Sequence, residues 1–218
     1  MTRLFFITHS SFLLETESAR FLFDYFGKGN IPEGTKPLVV LASHNHHDHY
    51  NRCIFSLPAE RFLISDTVTG PLPEAIRNKV TIVHDGSKES LFDVDISCFG
   101  STDLGVSFLL RTAEMTVYHA GDNNYWEEED RAEYHSYIKN IDYCDIAMIP
   151  VDPRLDENFI GGARDFDERI HPKMIVPMHC WGDFTMCTKA RAILGEKVVV
   201  LSHDGEEIPL DSLSGDNT

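Results

Sequence analysis

Basic residues are in short supply in this 218-residue chain: Lys and Arg number 19 against 35 Asp and Glu, for a formal charge of −16. No basic cluster relieves that imbalance, so the surface repels phosphate backbones and anionic membranes, and the composition argues against a nucleic-acid partner. Cysteine is sparse too. Cys53, Cys98, Cys144, Cys180 and Cys187 form no CxxC, which removes zinc-ribbon and thioredoxin-type sites, and their odd number argues against a disulfide framework. No apolar run is long enough to span a bilayer, and Met1–His9 has neither the length nor the cleavage site of a signal peptide. These absences predict a soluble, cytoplasmic chain with no membrane partner. The absence of any repeat or Gly/Pro period excludes solenoids and fibres.

What remains is ordinary globular material, 42% hydrophobic and 25% charged, with no linker-like shift in composition. Residues 1–218 therefore read as one α/β domain. Leu4–Thr8, Phe12–Thr16 and Arg20–Asp24 are short β-rich runs that suit a meander at a sheet edge. Leu38–Ala42 is continuously apolar, as in a strand buried on both faces. Further strands are expected at Arg61–Ile64, Val80–Val83, Val94–Phe99, Val106–Leu110, Met115–His119, Ile146–Pro150, Met174–Pro177 and Lys197–Leu201. Helical spacing joins Leu155, Phe159, Ala163, Phe166 and Ile170 into one amphipathic helix. A second is expected around Tyr134–Ile141, with the acidic run Glu127–Asp130 at its positive end, and a third over Thr185–Leu194.

The chemistry concentrates where Leu38–Ala42 ends, in His44-x-His46-x-Asp48-His49. A sharp turn after a rigid strand aims several imidazoles and a carboxylate inward, which is what a metal ion requires. His44 and His46, two apart, can share one ion, while Asp48 and His49 can face a second. The competing reading is a solvated His-rich loop. Three later strand ends favour the metal: Asp122 after His119-Ala120-Gly121, His179 after Pro177-Met178, and Asp103 on the turn after Val94–Phe99. Each alone is weak, since an Asp after Gly is usually a turn residue.

These motifs, together with His9-Ser10-Ser11 and Phe23-Asp24, resemble the metallo-β-lactamase superfamily over nearly the whole chain. Within it the chain particularly resembles the small metal-dependent hydrolases similar to L-ascorbate-6-phosphate lactonase. The resemblance implies a four-layer αββα sandwich with a metal site at the sheet edges. It implies that His44 and His46 bind one ion with a third residue, that Asp48, His49 and His179 bind the other, and that Asp122 bridges both. The family pattern has a histidine as that third residue; here Asp103 aligns with it. Two divalent ions are implied, zinc first; a carboxylate is shorter and harder than imidazole, so either Asp103 reaches the ion and the first site tolerates manganese or iron, or it falls short and that site is weakened.

Around this set, Asp24 is available to orient a ligand histidine through its ring N–H. His9 fits either a structural role or a substrate contact, His47 is out of phase and reads as solvent-facing, and Cys180 reads as a small buried residue. Arg154 suits either an anionic substrate group or the acidic loop it sits in, and Trp126 and Trp181 suit a pocket wall or the core. The expected reaction is hydrolysis of a small-molecule ester, lactone or related bond by a hydroxide bridging the ions, with Asp48 accepting a proton and Asp122 setting the metal spacing. The alternatives are a small-molecule phosphodiesterase on the same site, and a non-catalytic metal- or ligand-binding protein with a weakened first site.

Overall fold

The computed structural model describes residues 2–213. Strands β1 (Arg3–Thr8), β2 (Ser11–Glu15) and β3 (Arg20–Phe23) form the anticipated antiparallel meander. β4 (Leu38–Ala42), β5 (Arg61–Ser65) and β6 (Val80–Val83) extend the same sheet in parallel. A second sheet begins with the antiparallel β7 (Lys88–Leu91), β8 (Val94–Gly100), β9 (Val106–Arg111) and β10 (Thr116–His119). It continues in parallel through β11 (Ile146–Pro150) and β12 (Met174–Met178). The short β13 (Glu207–Ile208) returns to pair with β1, so the sheets run β13-β1-β2-β3-β4-β5-β6 and β12-β11-β10-β9-β8-β7.

Strand alternation explains why the first sheet reads as nearly continuous apolar sequence. Leu4, Phe6, Phe12, Leu14, Phe21, Phe23, Val39 and Leu41 join the core shared with the second sheet. Their neighbours Phe5, Ile7, Leu13, Leu22, Leu38 and Val40 form a separate cluster on the opposite face. With both faces buried, neither can be polar.

Helices α1 (Arg131–Ile138), α2 (Gly161–Ile170) and α3 (Thr185–Leu194) add their buried residues to the shared core. α1 meets β8 and α2 meets β11, and Phe166 of α2 stacks on Tyr118 of β10 at 4.7 Å. The outer face of the first sheet is closed differently, by Tyr50, Phe55, Leu57, Val68 and Ile76 from loops and 3-10 turns. The architecture is the expected α/β sandwich of two mixed sheets and helices.

Local departures have local causes. The helix expected from Leu155 to Ile170 forms only over Gly161–Ile170, because Pro153–Asn158 is a 3-10 turn broken at Asp156, whose φ is +46°. Lys197–Leu201 makes a single bridge, Val198 to Ile175, and does not continue as a strand. β7 and β13, short and partly exposed, carry too little apolar pattern to be read from sequence. The acidic run does start α1: Glu127 and Asp130 form a reciprocal capping box one turn ahead of it.

Candidate metal centre

The candidate residues arrive at one end of the sandwich from five strand ends or turns. Beyond β4 the chain folds back on itself, with the His49 and Tyr50 amides donating to the His46 carbonyl at 3.0 and 2.9 Å. That turn brings His44, His46 and His49 to a common face. Asp122 follows β10 through Gly121, whose φ is +56° and where a Cβ would lie 2.9 Å from the Ser43 Cβ, so only glycine permits this approach. His179 follows β12, Asp103 lies on the β8–β9 turn, and His9 on the β1–β2 turn. His9, Asp24 and His179 all sit at positive φ (52°, 44° and 62°), a costly backbone state for side chains of this size that gathers at functional sites.

Two groups result, the ligand atoms of each lying within 4.8 Å of one another: His44, His46, Asp103 and Asp122, and His9, Asp48, His49 and His179. Asp122 joins them. Its Oδ2 is 3.3 Å from His44 Nε2, and its Oδ1 is 3.0 Å from both His49 Nε2 and His179 Nε2. Despite these distances, His44 Nε2, His49 Nε2, His179 Nε2 and Asp122 Oδ1 are buried with no hydrogen-bond partner among the described residues. Four buried polar atoms that approach closely without pairing would be costly if left so. Lone pairs converging on shared points fit divalent cations, and the mixed imidazole and carboxylate donors match that use.

The sequence expectations can be placed one by one. His44, His46, Asp48, His49, Asp103, Asp122 and His179 all reach the cluster, Asp103 with its Oδ2 3.4 Å from His46 Nδ1. Asp24 accepts from His49 Nδ1 at 2.7 Å and also takes the Ser43 amide and hydroxyl at 2.7 and 2.6 Å. His47 is 91% exposed and faces solvent. His119 is an internal residue, stacked on Phe23 and hydrogen-bonded to the Ser10 carbonyl at 2.9 Å. Arg154 holds its own loop, its Nε lying 2.9 and 3.0 Å from the two Asp152 carboxylate oxygens.

One residue whose role was left open is placed, and two supporting residues went unread. His9 belongs to the second group, its Nε2 3.2 Å from Asp48 Oδ2. Ser43 supports His44, with Oγ 2.9 Å from Nδ1. Asp152 lies behind His179, 3.8 Å from its Nδ1 and beyond hydrogen-bond reach, and accepts from Trp181 Nε1 at 3.1 Å. The signal available for Asp152 was its place directly after a buried strand pointing at the site, the feature that exposed Asp122 and Asp103.

Electrostatics follow the geometry. Burial alone would discharge Asp122, yet the His179, His49 and His44 rings outweigh it and hold the carboxyl well below its ordinary range. Burial likewise opposes charge on His49, but Asp122 and Asp24 on either side push it up to about 10. Asp48 is held low against its burial by His9, His49 and His179. Asp103 moves the other way, raised by burial and then by the neighbouring Asp122 charge. The interior is an anionic pocket that draws a cation, and a proton on His49 competes for the same space.

A sequence profile of the beta-lactamase superfamily domain matches residues 3–179. The chain belongs to the metallo-β-lactamase superfamily. Among curated relatives, the metal-dependent hydrolase YtkL of Bacillus subtilis is 24% identical over 196 residues, 78% of this chain and 82% of its own. A metal-dependent hydrolase of Desulforamulus reducens is 26% identical over 203 residues, covering 81% and 83%. The solved metallo hydrolase Igni18 of Ignicoccus hospitalis shares the fold, with a TM-score of 0.63 at 18% identity over 95% of this chain and 98% of that one. Superfamily membership and the cluster together give the coarse activity: the chain is a metal-dependent hydrolase. Among the described residues, no helix is long and apolar enough to cross a membrane.

Proposed function

We propose that the chain is a dinuclear enzyme that hydrolyses a small-molecule ester, lactone or related bond. The observation that carries this is Asp122, one oxygen directed at His44 and the other at His49 and His179. In this reading His44, His46 and Asp103 would hold one ion, Asp48, His49 and His179 would hold the other, and Asp122 would be shared between them. Zinc suits the imidazole-rich set, and Asp103 extends the range to manganese or iron. When bound, such ions polarise the substrate oxygen and lower the pKa of a water molecule to about 7.

The protein's own groups do the rest. Asp24 fixes the His49 tautomer, with the proton on Nδ1 and the Nε2 lone pair directed inward. Ser43 steadies His44, and Asp152 lies behind His179. Asp48, held as a carboxylate and 14% exposed, is placed to accept a proton during attack, and its hydrogen bond to His9 keeps it aimed.

The test is elemental analysis of protein purified without chelator or metal-binding tag, followed by esters, lactones and phosphodiesters as substrates. Two ions per chain with turnover of esters or lactones is the expected result. No bound metal after reconstitution would overturn the reading, and turnover confined to phosphodiesters would replace its substrate class.

A further inference from the structure

Beside the centre lies a cavity of about 340 Å³, within the range of small-molecule pockets. His9 and Asp48 are among its lining residues, so it borders the group of candidate ligands that also holds His49 and His179. Its apolar lining is mostly rings, from Phe6, Phe26, Trp181 and Phe184. The charges around it do not favour an anion: Asp48 and Asp204 line it, and Lys28 stands at the exposed rim, 5.7 Å over the Phe26 ring.

Trp181 is the informative wall. It is 45% exposed, and its φ of +51° is one a bulky residue adopts only when held there. Three contacts hold it: the hydrogen bond to Asp152, the Arg154 guanidinium 4.5 Å over its ring, and the His9 ring at 4.5 Å. A tryptophan fixed at the mouth of a cavity with half its surface in water is preorganised for a flat apolar partner.

We propose that this cavity is the specificity pocket, and that it takes an uncharged, ring-bearing apolar group attached to the scissile bond. Only the statement that this group belongs to the substrate rests on the hydrolase reading; binding of the ring does not.

Two measurements on the metal-loaded protein test it. The chain has two tryptophans, so a Trp126→Phe variant leaves Trp181 as the sole tryptophan, read by exciting at the red edge where tyrosine does not absorb. Phenylacetamide should change its emission saturably while acetamide does not; equal responses, or none, would overturn the proposal. In kinetics, a phenyl-substituted γ-lactone should exceed its methyl analogue in kcat/KM by at least about tenfold. That ratio should fall toward one in Trp181→Ala and in Phe184→Ala, which lies away from the metal residues, and persist in Trp181→Phe. A ratio near one in the wild type, or variants that slow both lactones equally, would reduce the rings to scaffolding. If neither lactone turns over while phenylacetamide still binds at Trp181, the lactonase reading fails and the pocket stands.

Discussion

His49 and His179 have no solvent exposure, whereas His46 is 44% exposed and Asp103 35%. The two halves of the centre differ in support as well as in depth. His49 is braced by Asp24, which is itself buried and anchored to Ser43, and His179 has Asp152 behind it. In the other half His44 is equally buried and supported by Ser43, but His46 and Asp103 rest on each other, the His44 ring and the shared Asp122. A ligand held by a buried partner loses little freedom when an ion binds, while one at the surface must be ordered at that moment. The buried half is therefore expected to bind first and more tightly, and the open half to exchange.

The largest effect should come from removing what the halves share. Asp122→Ala is expected to lose both ions and lower kcat by more than about a hundredfold, since even partners behind a ligand cost about 10–100-fold. Metal content and rate measured on the same preparation check this, and an unchanged metal count would end the bridging assignment. Next in size is a contrast between two histidines. His49→Ala leaves the buried Asp24 carboxylate with its Ser43 hydrogen bonds but without the imidazole that balances its charge, and is expected to cost about 3 kcal/mol of stability. His46→Ala, at the surface, should change stability by no more than about 0.5 kcal/mol while weakening one ion. Equal thermal shifts in the two metal-free variants would erase the proposed asymmetry.

Asp24→Asn probes the brace itself. Metal affinity at the buried half should fall by about 10–100-fold in a competitive chelator titration, with a smaller loss at the open half, where Asp24 reaches His44 only through Ser43. A related effect is visible in pH. In metal-free protein His49 carries a folded pKa of about 10, above the unfolded value of about 6.5. Its contribution is thus fully present below about pH 6.5 and lost as pH rises through about 10. Metal-free protein should lose several degrees of Tm across that interval. The metal-loaded form should not, because the ion replaces the proton.

The same contrast governs what could be read from sequence. Seven candidate ligands were legible because each follows an apolar strand, and strand ends are where parallel sheets present chemistry. Asp24 was legible from its place after Phe23. His9 was not assigned, because its turn carries no spacing that distinguishes a ring facing the centre from one packed behind it. Ser43 and Asp152 were missed for a similar reason: a supporting residue is defined by the atom it touches across the fold, and Ser43 meets Asp24 from a different strand. The helix drawn from Leu155 failed because hydrophobic spacing continues through Pro153–Asn158 while the backbone turns at Asp156.

The smallest expected effect concerns the one position that departs from the family pattern. Asp103 is partly open, and its carboxyl is raised by burial and by the Asp122 charge, so it brings a second negative group to a site that already holds one. Asp103→His replaces that carboxylate with a longer, softer donor at a position with room for it. Zinc at the open half should tighten by about tenfold, manganese should weaken, and metal-free Tm should move little, because no buried partner depends on Asp103. Titration of each metal against a chromophoric chelator reads the change. If zinc affinity stays constant while Asp122→Ala abolishes it, Asp103 stands near the ion without holding it, and His44, His46 and Asp122 alone form the open half.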